Sequence, residues 1–151
     1  EDIAKAFESV ANVVGEAARV KEVTHRLKEA GTRVSLFIDA EERQVEASAE
    51  AGADEVELHT GPYAGSEDGQ ERESRLQNLE NAAARARELG LVVNAGHGLT
   101  VRNVEPVARR LLPRELHIGH SIVSRAIFVG IRRAVREMKD EIDRAEARAH
   151  R

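Results

Sequence analysis

Four of the six histidines in this chain stand where strand-like segments run out. His59 lies in Glu55-Val56-Glu57-Leu58-His59-Thr60-Gly61, His97 in Asn94-Ala95-Gly96-His97-Gly98-Leu99, and His117 and His120 in Leu116-His117-Ile118-Gly119-His120. An imidazole titrates near neutrality and can give and take a proton within one cycle, so this set of residue types predicts acid–base chemistry. In a parallel α/β protein the carboxyl ends of the strands form the functional face, and polar residues gathered there from several strands read as one site built by several loops. Strand alternation places Glu57 and His59 on one face and Val56 and Leu58 on the other, so the acid points away from the apolar side. Gly96 and Gly98 let the backbone beside His97 turn sharply and approach a ligand closely. Gly119-His120 ahead of a helix offers exposed N–H groups to an anion. Spacing alone leaves three plainer readings open: a solvated sheet face for Glu57, an ordinary turn for His97, and a simple strand-to-helix connection at Gly119-His120. Zinc is not indicated, because the chain has neither His-Glu-x-x-His nor a carboxylate-rich spacing.

These residues must be held by alternating helices and strands. Ile3, Phe7, Val10 and Val14, then Val20, Val23 and Leu27, recur at helical spacing up to Gly31, with Gly15 a break between two helices. Arg33 to Ile38 reads as a buried strand, and Asp39 with Glu42 three residues later as a capping box opening a helix that ends at Gly52. Val56 and Leu58 mark a second strand. A Gly/Pro/Ser-rich loop from Gly61 to Gly69 leads to a helix ending near Gly90, and Leu91 to Asn94 is the third strand. Thr100 caps a short helix running to Leu112, Pro113 stops it, and Glu115 to Ile118 is the last strand. One long closing helix carries the stripe Ile127, Ile131, Val135, Met138 and Ile142 and fades into a solvated charged tail.

Repeated βα units imply a parallel sheet, either open and doubly wound or part of a (βα) barrel, and the pattern does not separate the two. The chain has 151 residues, and a whole barrel needs about 250, so it can supply about half of one. A single domain is expected. Charged residues make up 33% with a formal net charge of −4, which gives no global basic field for nucleic acid or an anionic membrane. Cysteine is absent, which removes disulfides, thiolate metal sites and a cysteine nucleophile together. The longest apolar runs are too short to cross a bilayer, and Glu1-Asp2-Ile3-Ala4-Lys5 is unlike a signal peptide, so a soluble, cytoplasmic protein is expected.

The segments Arg33 to Asp39, Glu57-Leu58-His59-Thr60-Gly61 with Tyr63-Ala64, Asn94 to Leu99, and Ile118-Gly119-His120 followed by Arg125-Ala126 and Phe128-Val129-Gly130 resemble, in order and spacing, the carboxyl-terminal half of pyridoxine 5′-phosphate synthase. The resemblance runs from about Val13 to Ile142. It implies a TIM-type (βα)8 barrel, here four βα units plus an amino-terminal helical segment. It also implies the condensation of 1-deoxy-D-xylulose 5-phosphate with 3-amino-2-oxopropyl phosphate to pyridoxine 5′-phosphate, with no cofactor. Carried over by position, Glu57 becomes the transition-state stabiliser and His97 the proton donor. Gly98, Gly119 and His120 then hold the amino-ketone phosphate, with His59 and Asn94 in support. Arg125 is the arginine expected nearest a phosphate, and Asp39 is expected only to cap its helix. His117 stands where the family has Asn and is expected to pack within the barrel.

The family's first half supplies an Asn and an Asp-His pair on the first strand, a downstream Arg, a His-x-Arg cluster with a further His, a Glu and a Thr. Nothing here matches them, and they include both proton acceptors. Residues 1–12 are read as a divergent amino-terminal helix, 13–142 as the half-barrel and 143–151 as the charged tail. Four parallel strands leave two open edges, which predicts a homo-oligomer or a complementing half-barrel. The rival is the helix from Asp2 to Val14 folding over the open side.

Overall fold

The computed structural model describes residues 10–149. Four parallel strands, β1 (Ser35–Ile38), β2 (Glu55–His59), β3 (Val92–Gly96) and β4 (Leu116–His117), pair in sequential order. Around them run α1 (Ala17–Glu29), α2 (Glu42–Glu50), α3 (Gly61–Gly65), α4 (Gly69–Glu88), α5 (Val104–Leu111), α6 (His120–Val129) and α7 (Ile131–Ala149).

The order 1-2-3-4 decides between the two sheet types that the pattern left open. Right-handed crossovers always moving in one direction put every helix on the same face, whereas a doubly wound sheet reverses direction and covers both. This is therefore the half-barrel pattern. Ile38, Val56, Leu58, Val93 and Ala95 point toward the helices and are buried against Val45, Leu79, Ala83, Ala86, Val104 and Val107. Each fully buried aliphatic side chain of this kind contributes about 1.5–3 kcal/mol. The opposite face carries Ser35 and Phe37 of β1, Glu55, Glu57 and His59 of β2, and Asn94 of β3.

Local signals explain most element ends. Asp68 accepts the N–H of Glu71 at 2.8 Å and caps α4, whose Leu76, Leu79, Ala83 and Ala86 fall on one stripe. Leu112 takes a left-handed conformation (φ 47°) to end α5, and Arg87 donates to the carbonyls of Leu111 and Leu112.

Several expectations are corrected. The closing helix is two helices broken at Gly130, whose φ of 82° and extended ψ of 150° cannot continue a helix. The expected stripe does not face one core: Met138 is buried, while Ile127, Ile131 and Val135 are exposed. The tail is not merely solvated, because Ala145 is fully buried on the side of α7 that packs against α5. The Gly61–Gly69 loop contains α3. Thr100 opens a turn whose carbonyl accepts the N–H of Val104 at 3.0 Å, and α5 starts only at Val104. Residues 10–16 are irregular and not helical up to Val14; residues 1–9 of that expected helix lie outside the described residues. No helix precedes Gly15 among the described residues, and α1 begins at Ala17. The Ala11 N–H donates to the Phe37 carbonyl at 2.8 Å and Val13 is fully buried, so this segment covers part of the outer edge of β1.

Candidate active site

Beyond the carboxyl ends of the strands lies an open cavity of about 680 Å³. Glu57, His97, Gly98, Gly119 and His120, contributed by three strand ends, all line it, together with Phe37, His117 and Ser121. Five residues spread over 64 positions of sequence thus meet because their strands are neighbours.

His97 sits on a strained turn. Its φ is 82° and that of Gly98 is 77°, two consecutive left-handed residues where an L side chain is disfavoured. Buried Thr60 holds this turn. Its N–H donates to the Gly96 carbonyl at 2.8 Å, and its hydroxyl lies 2.7 Å from that oxygen and 2.6 Å from the His97 carbonyl. The His97 ring stands edge-on to His59 at 4.9 Å between centroids, and Phe37 packs edge-on to His59 at 5.2 Å. Gly98 is required for space as well as for its φ, since a Cβ there would meet Ala64 of α3 at 2.9 Å.

His59 itself lies beside the cavity and not in its lining; its Nδ1 is 3.2 Å from Asp39 Oδ1. This corrects the expectation for Asp39. The residue at the start of α2 is Glu41, without a side-chain cap, and the Asp39 carboxylate orients a histidine instead. Asn94 is opposite Glu57 in register but does not line the cavity. It is buried, its amide donates to Glu55 at 2.8 Å, and its Oδ1 is without a partner among the described residues. That bond, followed by Arg33, holds the Glu55 carboxyl below the ordinary carboxylate value despite burial.

Gly119 precedes α6, whose first-turn N–H groups have no intrahelical acceptor and lie at the positive end of the helix dipole. Ser121 donates to the Leu99 carbonyl at 2.6 Å and ties the start of α6 to the His97 loop. The Gly98 loop and the Gly119-His120 turn therefore border the same cavity. Arg125 does not complete it. Its guanidinium is held by Glu137 of α7 at 2.9 and 3.2 Å, and it does not line the cavity.

His117 does more than fill space, contrary to expectation. It faces the cavity with Nδ1 2.6 Å from Glu57 Oε2 and Nε2 3.4 Å from Glu115. Burial pulls the imidazole toward its neutral form, but Glu57 and then Glu115 outweigh it and raise its pKa above the ordinary 6.5. Sequence reasoning missed Thr60, Asp39, Phe37 and His117 as site members. Thr60 carried a signal, since it lies inside the His59-Thr60-Gly61 motif. Among the described residues no three His, Asp or Glu side chains converge as a metal site, and no helix is long and apolar enough to cross a membrane.

Sequential parallel strands with helices on one face, and a cleft of histidines and a carboxylate at their carboxyl ends, define a protein of the βα-barrel class, represented here by half a barrel. The chain belongs to the pyridoxal phosphate biosynthesis protein PdxJ family, whose model matches residues 6–144. It is 49% identical over 134 residues to pyridoxine 5′-phosphate synthase of Neisseria meningitidis, covering 89% of this chain and 55% of that one. It is 52% identical over 128 residues to the synthase of a Synechococcus species, covering 85% and 54%. With that of Coxiella burnetii it shares 47% identity over 135 residues, covering 89% and 56%. The chain thus spans about half the length of the curated relatives it matches.

Proposed function

We propose that the chain supplies the carboxyl-terminal half of a pyridoxine 5′-phosphate synthase site, acting in the condensation of 1-deoxy-D-xylulose 5-phosphate with 3-amino-2-oxopropyl phosphate. The observation that carries this reading is the convergence of Glu57, His97, Gly98, Gly119 and His120 on one cavity. His97 is the proton donor: loss of water requires a hydroxyl to leave protonated, and an imidazole on a rigid turn can deliver that proton. Glu57 is the stabilising carboxylate, placed to offset positive charge developing on the amine-bearing carbon skeleton. Gly98, Gly119 and His120 hold the amino-ketone phosphate through backbone N–H groups and the α6 dipole. His59, oriented by Asp39, and Asn94 support the site. The reading assigns no cofactor and no metal.

The proton acceptors belong to the other half of the barrel, which a complementing chain or segment provides. The test is turnover of both substrates by the pure chain and by the chain mixed with that half. The isolated chain shows no measurable turnover, because each missing general base costs on the order of 10²–10⁴-fold. Complementation restores it, and Glu57→Gln and His97→Asn each abolish the gain. Restored turnover indifferent to both substitutions overturns the assignment.

A second reading rests on a separate observation. Val123, Ile127, Phe128 and Ile131 form an exposed apolar surface at the α6–α7 junction. In this reading the half-barrel is a non-catalytic scaffold that self-associates and at most binds phosphate.

A further inference from the structure

The contact between Glu57 and His117 spans two strand spacings. Glu57 lies opposite Asn94 on β3, while His117 lies opposite Gly96, two residues farther along the same strand. Adjacent strands are about 4.8 Å apart, so side chains on β2 and β4 are normally kept apart by whatever β3 places between them. Here β3 places nothing. A Cβ on Gly96 would overlap Glu57 Oε1 and stand 2.8 Å from the His117 carbonyl oxygen. The missing side chain is the passage through which the carboxylate reaches the imidazole.

We propose that His117 is the positioning residue of Glu57, anchoring one carboxylate oxygen across the Gly96 gap so that the other is presented to the cavity in a single orientation. The inference rests on the reading of Glu57 as the stabilising carboxylate. At 2.6 Å the Nδ1–Oε2 contact has the length of a charge-assisted hydrogen bond. It occupies Oε2 and leaves Oε1 lying over Gly96. Glu115, just before β4, reaches Nε2 at the rim and sets the ring from its other side. The remaining titratable groups on this cavity are His97 and His120, and Arg114 is turned away toward Glu55 at 3.8 Å. Glu57 and Glu115 are therefore the two charges that act on His117. The anchor is strongest while His117 carries its proton and weakens as that proton is lost, so Glu57 is held best on the acid side of the His117 titration.

The test begins with the 151-residue chain alone. Histidine ring resonances are followed by NMR through a pH titration of the wild type and of Glu57→Gln, with His25 on exposed α1 as internal reference. His117 titrates above the ordinary histidine value in the wild type and moves down in Glu57→Gln, whereas His25 does not move. In the complemented enzyme, His117→Ala lowers kcat by on the order of 10²-fold with little change in KM, as misplacement of a reacting group does. His117→Asn, which keeps a neutral donor, restores much of kcat and removes the alkaline limb contributed by His117 from the pH profile. A His117 titration unmoved by Glu57→Gln overturns the proposal, as does a His117→Ala enzyme with unchanged kcat and pH profile. Failure of the underlying reading looks different: the NMR coupling persists while Glu57→Gln leaves turnover intact.

Discussion

The Thr60 hydroxyl lies 2.6 Å from the carbonyl oxygen of His97, joining the end of β2 to the strained turn beyond β3. That turn puts the His97 backbone in a conformation a non-glycine residue seldom adopts, and a hydrogen bond from the buried Thr60 side chain is what keeps it there. Thr60→Val preserves the shape of the side chain and removes the donor. Losing a hydrogen bond of this kind costs about 0.5–1.5 kcal/mol, so urea denaturation should show that loss of stability. In the complemented enzyme the same variant should lose kcat, because His97 is freed from its turn.

Gly98→Ala should be worse than its one methyl group implies. The new Cβ meets Ala64 at 2.9 Å, and the φ of 77° is unfavourable to alanine even without that contact. Overpacking of this kind costs about 1–3 kcal/mol, and relief by shifting the turn moves His97 as well. Thermal denaturation measures the first effect, and the chemical shifts of the His97 ring the second.

Acid should destabilise the fold in a defined window. Arg125 and then Arg133 hold the Glu137 carboxyl at about 2, against an ordinary 4.5, and Arg110 lowers that of Glu80. The Val34 N–H and then Lys28 lower that of Asp54. A carboxyl depressed in the folded state contributes stability that is fully present above its unfolded value and is lost as pH falls through its folded value. The melting temperature should therefore fall as pH drops from about 5 toward 2. Glu137→Gln, which removes one of these groups, should flatten that fall. His117 works in the opposite direction: its raised pKa contributes stability present below 6.5 and lost as pH rises through the folded value. A melting temperature constant from pH 5 to 2 would contradict the ion-pair account.

Inorganic phosphate titrated into the chain should shift the amides of Gly98, Gly119 and His120 first. Their donors belong to the backbone and to the start of α6 and do not depend on the other half of the barrel. Binding should be weak, since Arg125 is committed to Glu137 and no arginine lines the cavity among the described residues. Shifts confined to the arginines of α7 would mean nonspecific ion pairing and no cradle.

Sedimentation across a wide concentration range should reveal association through the open side of the sheet or the α6 surface. Phe128 is 83% exposed and Ile127 79%, an uncommon state for such side chains when adjacent. Replacing both by Asp should shift the equilibrium toward monomer if α6 is the contact. A strict monomer, fully folded at every concentration, would count against self-association.

Short-range rules made much of this protein legible without its structure. Period-two alternation placed Glu57 and His59 opposite Val56 and Leu58, and the glycines around His97 marked a tight turn, because neighbours along the chain determine both. Segment order and motif spacing likewise pointed to a family and to half a barrel. The choice between barrel and doubly wound sheet waited for the strand order, since that is a matter of which strands pair. The same holds for Asp39, whose spacing to Glu42 imitates a helix cap while its carboxylate meets His59, 20 positions away. Gly130 could be read through as part of one helix because the stripe on either side has helical period, and only the backbone conformation shows the break. Glu57 and His117 are 60 residues apart, and their bond depends on an absent side chain on the strand between them. No local pattern encodes a contact made through a gap; it exists only once three strands lie side by side in one register.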